Sequence, residues 1–258
     1  MTEVTDSTKD ASRSSRLGVL WIEKSDWLLD HPGWTMIILA ILGLAFRFRW
    51  LNLTPLVAGD QSWPDIARIA TYFPWPGFWD PTNGLGGTAV AFNAFRFPVY
   101  MLYGLFAHLG FHWNVAERAV MYLPGAAVIP AAPWWLARQI MGKSRWTFLA
   151  PLLFVANPYI LVTAASEPPL IVSAAISCFT IGAFIITMRR RSIRWAIYTG
   201  LLMALSTAVD IRPSVVTAYM LAIYAFLVVI AEPKWRAMLD RLAPLCQPAG
   251  AISGKPSP

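Results

Sequence analysis

The sequence predicts an all-α, polytopic helical membrane protein, and three observations carry that prediction. Of its 258 residues, 57% are hydrophobic and only 14% charged, with a mean hydropathy of +0.51. A soluble domain carries about 25% charged residues, so this surface is too poor in charge to be solvated. Thirteen Trp stand beside 14 Phe and 8 Tyr, and indole rings favour the membrane–water interface. Several stretches are free of charge over about the 20 residues needed to cross some 30 Å of hydrocarbon. Together these figures exclude a disordered chain, a collagen, a disulfide scaffold and most soluble enzymes. A net charge of +7 and a pI near 9.7 would suggest nucleic acid in a soluble protein. The placement of the basic residues decides against a nucleic-acid partner here.

Residues 1–32 read as a leader. The first sixteen are polar and rich in Ser and Thr. Leu17, Leu20, Trp21 and Leu28 then follow helical spacing, with Glu23, Lys24 and Asp26 between them, which predicts a short interfacial helix. The apolar part starts too late, and after acidic residues, for a signal peptide. About six spans follow within 33–231: residues 33–53, 119–137, 146–166, 168–188, 195–209 and 213–231. Arg47 and Arg49 interrupt the far end of the first and must snorkel. Pro124, Pro130, Pro151 and Pro158 fall inside spans, where a membrane helix tolerates them. The tail, 232–258, has no membrane pattern.

The stretch 97–110 is apolar but only about 14 residues long, which favours an interfacial or re-entrant helix over a crossing. Charge placement sets the sides. The turns holding Arg138, Lys143 and Arg145, and Arg189, Arg190, Arg191 and Arg194, are strongly basic and belong in the cytoplasm. Lys234, Arg236 and Arg241 fall on the same side. Working back, the loop 54–114 is outside. With 97–110 not crossing, the N-terminus is cytoplasmic; with it crossing, the N-terminus is outside. The first version is favoured, and it places the protein as a multi-pass protein of the plasma (inner) membrane.

That topology gathers Asp60, Asp65, Asp80, Glu167, Arg68, Arg96 and Arg118 outside, with Asp210 and Arg212 at the outer end of the fifth span. Within the loop, Ser62 can cap a helix with Asp65 three positions on, and Pro64 suits its first turn. Ile66, Ile69, Ala70 and Phe73 then make one lipid-facing stripe, leaving Asp65, Arg68 and Tyr72 elsewhere. Asp60 stands at the entry of this helix, where dipole capping is its plainest use. Trp75 and Trp79 suit either stacking on a sugar or anchoring at the interface. His31, His108 and His112 are too dispersed for a metal signature, Cys178 and Cys246 are unsuited to a disulfide, and no P-loop, GxGxxG, HExxH or GxSxG pattern occurs. No metal site and no cofactor are assigned.

The order of these features resembles the N-terminal module of the GT-C superfamily of glycosyltransferases. The matching features are Arg47-Phe-Arg49 closing the first span, Gly59-Asp60-Gln61, Phe97-Pro-Val-Tyr-Met-Leu-Tyr103, Glu117-Arg118, Asn157-Pro-Tyr159 before Glu167, and Asp210-Ile-Arg212-Pro213. Phe78-Trp-Asp-Pro81, Gly84, Asn93 and Phe97-Pro98 are most similar to actinobacterial arabinofuranosyltransferases. The resemblance covers about residues 33–231. It departs where the superfamily commonly has Asp-Glu and this chain has Asp60-Gln61. It implies transfer of a sugar, arabinofuranose or a hexose, from a polyprenyl-phosphate donor to a cell-envelope glycan acceptor on the outer face. Members generally have more spans, so the resemblance also implies that this chain corresponds to a fragment.

The residue types suit that chemistry. Asp60, its pKa raised by partial desolvation at the membrane surface, is the expected general base. Arg212, Arg118 and Arg68 are expected to bind the lipid phosphate through paired donors. Glu167 orients the acceptor or helps hold a metal, and Asp65 and Trp79 complete the substrate contacts. The alternative is a non-catalytic membrane protein that binds lipid-linked intermediates or scaffolds an envelope complex. A transporter ranks third, because charges within the spans are nearly absent.

Overall fold

A computed structural model describes residues 24–51, 73 and 97–231. These residues are almost all helical, with no strand among them. The chain divides into two compact units, 1–215 and 216–258.

Helix α1 (Lys24–Asp30) meets α2 (Pro32–Phe46) at a bend of 113°. Pro32 at the start of α2 has no N–H to continue the ladder, so the chain turns at His31. Thr35 Oγ donates to the carbonyls of Leu28 (2.5 Å) and His31 (3.2 Å), which clamps the corner. The His31 ring stacks on Trp27 at 4.6 Å, and its Nδ1 donates to the Trp27 carbonyl. That is the structural use expected for a lone histidine. After α2 comes a 3-10 turn, Phe48–Leu51.

Helix α3 (Phe97–His108) is followed by α4 (Trp113–Met141), which contains a π turn at Arg118–Tyr122. Twelve residues give α3 a length of about 18 Å, well short of the hydrocarbon thickness. Gly142, at φ +69°, ends α4. A 3-10 turn (Arg145–Phe148) leads into α5 (Leu149–Ala156), which breaks by 52° before α6 (Pro158–Ser166). Asn157 at the break accepts from the Tyr159 N–H (2.9 Å), capping α6 while Pro158 occupies its first position. Helix α7 (Pro168–Arg190) has 23 residues and α8 (Ile193–Val209) has 17. Helix α9 (Ile211–Ala231) begins one residue later and runs into the second unit.

Within the first unit, α7 packs against α4 and α8, and α2 packs against α4. Small residues allow these approaches. A side chain at Gly43 would run into the Ala126 carbonyl of α4, and one at Gly182 into the Trp135 ring. Ile129, Ala132, Ile160, Ala164, Ile171 and Ala175 form one buried cluster. A second joins Tyr100 and Tyr103 of α3 to Met121, Tyr122, Val172, Ala208 and Val209. Large apolar side chains remain exposed elsewhere, Trp34, Ile41, Leu42, Leu152, Leu153 and Val162 among them. Water would not tolerate that surface on this scale, whereas lipid does.

The protein is therefore membrane-embedded. Among the described residues three helices, α4, α7 and α9, are long and apolar enough to cross, or up to five segments when each bent pair counts as one. The first predicted span, 33–53, is shorter as a helix than its apolar stretch, because α2 ends at Phe46. The predicted surface helix beginning at Ser62 lies outside the described residues, as do most of the 54–114 loop, the first 23 residues and the tail.

The two ends of the first unit differ in chemistry. At one end α1 is held by the α4–α5 turn: Arg145 bonds Asp26 (2.8 and 2.6 Å), Lys143 bonds Asp30 (2.7 Å), and Arg138 donates to the Leu29 carbonyl (2.6 Å). Arg189, at the end of α7, joins them through the Gln139 carbonyl (2.6 Å). At the other end the cluster around α3 lies beside the start of α7 and the end of α8.

Candidate functional site

The start of α7 and the end of α8 bring together three charged groups. Pro168 and Pro169 open α7 and leave Glu167 at its boundary, its backbone N–H bonded to the Thr163 carbonyl (2.6 Å). Asp210 is the single residue between α8 and α9, in extended conformation (φ −157°, ψ 127°). Its Oδ1 accepts the backbone N–H of Arg212 (2.9 Å), the bond of a helix N-cap. The sequence thus sets an Asp cap and an Arg two residues apart at the head of α9.

The Arg212 side chain folds back on that cap. Its Nε donates to Asp210 Oδ1 (3.0 Å) and its Nη2 to Asp210 Oδ2 (2.7 Å), a two-pronged bond. Nη2 also donates to Glu167 Oε2 in a very short contact. The three side chains differ sharply in exposure: 2% for Asp210, 32% for Glu167 and 55% for Arg212. A carboxylate as buried as Asp210 is costly unless paired and hydrogen-bonded, and Arg212 supplies both. Arg212 Nη1 takes none of these bonds.

Beneath the pair lies a seam of hydroxyls. Ser173 Oγ donates to the Asp210 carbonyl (2.8 Å) and lies 2.9 Å from Ser206 Oγ. Ser206 Oγ is also within 3.1 Å of Ser177 Oγ and receives Ser214 Oγ (2.9 Å). Small hydroxyl residues let membrane helices approach while satisfying one another. This seam fixes the backbone on which Asp210 sits.

Of the residues singled out from sequence, the structure joins Glu167 to Arg212. Arg118 is placed differently: at 4% exposure it is buried, its Nη1 donating to the Asn114 carbonyl (2.9 Å) and lying 3.7 Å from Glu117. It sits in the π turn, a helical irregularity common at functional positions. Asp60, Asp65, Arg68 and Trp79 lie outside the described residues. Asp210 was not among the expected site residues, although the Asp-Ile-Arg-Pro run between two apolar helices is a capping signal with a cation two residues on. Among the described residues no three His, Cys, Asp or Glu side chains converge as a metal site would require, and Glu167 has Arg212 as its partner.

A scan against protein-family models returns no match, and neither do searches of the curated proteins and of the solved structures.

Proposed function

We propose that this chain is the membrane module of a lipid-linked sugar transferase of GT-C type, working at the end of the first unit that carries Glu167, Asp210 and Arg212. The observation that supports the reading most is the Arg212 geometry. A buried carboxylate aims a half-exposed guanidinium, and a partly exposed carboxylate stands beside it. Such a cation suits the phosphate of a polyprenyl-phosphate sugar, which reaches Nη1 directly and Nη2 by displacing Glu167. Glu167, released, orients the acceptor by accepting from a neighbouring hydroxyl of it. Asp60, in the preceding loop, takes the proton of the attacking hydroxyl as that oxygen bonds the anomeric carbon. The sugar–phosphate C–O bond breaks, and the polyprenyl phosphate leaves with the electron pair beside Arg212.

In this reading α2, α4, the α5–α6 pair, α7, α8 and α9 make six crossings, and α3 lies along the surface. The bonds from α1 to Arg138, Lys143 and Arg145 favour it, because they hold both segments at one end of the unit. An even number of crossings then separates them. With the basic turns in the cytoplasm, the N-terminus is cytoplasmic and the Arg212 end faces out across the plasma membrane.

A second reading is that of a non-catalytic binder of lipid-linked intermediates. The double engagement of Arg212 favours it, since a guanidinium satisfied by two acids locks α6, α7 and α9 together without any substrate. The test is transfer of a radiolabelled sugar from polyprenyl phosphate to an envelope glycan by the full chain in bilayers. Transfer should fall at least a hundredfold in Asp60→Asn and about tenfold in Glu167→Gln. Equal transfer by all three proteins removes the proposed roles, and no transfer by any, with the donor lipid still bound, selects the binder.

A further inference from the structure

At the opposite end, the corner between α1 and α2 encloses a groove of about 310 Å³ lined by Lys24, Trp27, Leu28 and Ile38. That volume is at the small end of ligand pockets, which run about 300–1,000 Å³. Among the described residues its lining is apolar except for one ammonium. The acids of α1 are already engaged, Asp26 by Arg145 and Asp30 by Lys143, while no acid among the described residues pairs with Lys24. Arg138 brings a further cation to the helix, at the Leu29 carbonyl. Among the described residues, then, the ammonium at its rim has no acid partner. Below it, Trp34, Ile38, Ile41 and Leu42 form one exposed apolar stripe along α2. The 113° bend and the Thr35 clamp hold the two faces apart, so the groove is built into the fold.

We infer that this corner binds one anionic phospholipid of the surrounding bilayer. Its phosphate pairs with Lys24, its glycerol region lies against Trp27 and Leu28, and an acyl chain runs down Ile38 and Ile41. Charge complementarity selects an anionic head over a zwitterionic one. The apolar stripe selects a lipid over a free phosphate ion. Bound there, the lipid fills the angle between an interfacial helix and a crossing helix.

Native mass spectrometry of the full chain in detergent tests this, with dioleoyl phosphatidylglycerol and dioleoyl phosphatidylcholine as probes. One phosphatidylglycerol should be retained in preference to phosphatidylcholine. Lys24→Glu should weaken that retention about tenfold, Lys24→Gln less, and Ile38→Trp should abolish it by filling the groove, each with an unchanged melting temperature. Arg194→Glu, which changes a basic residue outside the groove, should leave it intact. Unchanged retention in Lys24→Gln and Ile38→Trp overturns the site. Equal loss in Arg194→Glu assigns the effect to diffuse surface charge and overturns it too. Displacement of the lipid by millimolar inorganic phosphate would assign the rim to a free anion and do the same.

Discussion

The two ends of the first unit both hold ion pairs, but they use them in opposite ways. At the α1 end, Lys143–Asp30 and Arg145–Asp26 are between water-exposed side chains, 42–66% accessible. At the other, Asp210 is 2% accessible and sits on a hydroxyl seam. Exposed pairs gain little, because solvent screens them and two long side chains must be ordered. A buried carboxylate matters more, since removing its partner leaves the charge stranded. The first end is a reversible clasp on the short helix α1, and the second is a fixed joint among three helices.

The largest test of this contrast is all-or-none. With Cys246 changed to Ser, a cysteine at Lys24 or Lys143 should be shielded from an impermeant thiol reagent in intact cells, and one at His112 should react. Reaction at Lys24 alone would break the shared-side arrangement. Next comes Arg212→Met, which strands Asp210 and should lower unfolding stability by about 3–5 kcal/mol in denaturant titration. Adding Asp210→Leu should recover most of that loss. A single-variant cost below about 1 kcal/mol would put both ends in the same class. Ser206→Ala, removing the centre of the seam, should cost about 1 kcal/mol by the same measurement. The smallest effect concerns the clasp. The hydrogen bond from Arg145 holds Asp26 below the usual carboxylate range, and that from Lys143 does the same for Asp30. Because the folded pKa values are depressed, this contribution is present above about pH 4 and fades as pH falls through the lowered values. Pepsin cleavage near Trp27 should therefore rise as pH drops below 4, and salt should loosen the clasp at neutral pH.

Much of this architecture was legible as sequence, for identifiable reasons. Uncharged stretches near span length, and Pro at helix starts such as Pro158 and Pro168, are local signals that survive without tertiary context. That the turns Arg138–Arg145 and Arg189–Arg194 share one end was equally local. The broken α5–α6 segment was less so: Pro158 sat in plain view, but the bend depends on Asn157 turning its side chain to the Tyr159 N–H. The acids of α1 looked like the polar face of a surface helix, because their partners are more than a hundred positions away. Arg118 read as a ligand-binding cation and is buried in its own turn. Asp210 was noticed at its helix boundary but given no role, for the opposite reason: its importance lies in burial, which composition at a helix boundary does not report.

The 17-residue length of α8 has a further consequence. At 1.5 Å per residue it spans about 26 Å, several ångströms less than a hydrocarbon slab of about 30 Å. On the six-crossing reading proposed above, Asp210, its immediate successor, puts the joint where a full-length helix would still be in acyl chains. Hydrophobic mismatch of this size is relieved by thinning the leaflet around the short helix. The bilayer beside Glu167 and Arg212 should then be dimpled, with water and headgroups drawn inward. A lipid-borne phosphate entering that depression would meet the guanidinium without being lifted out of its own leaflet.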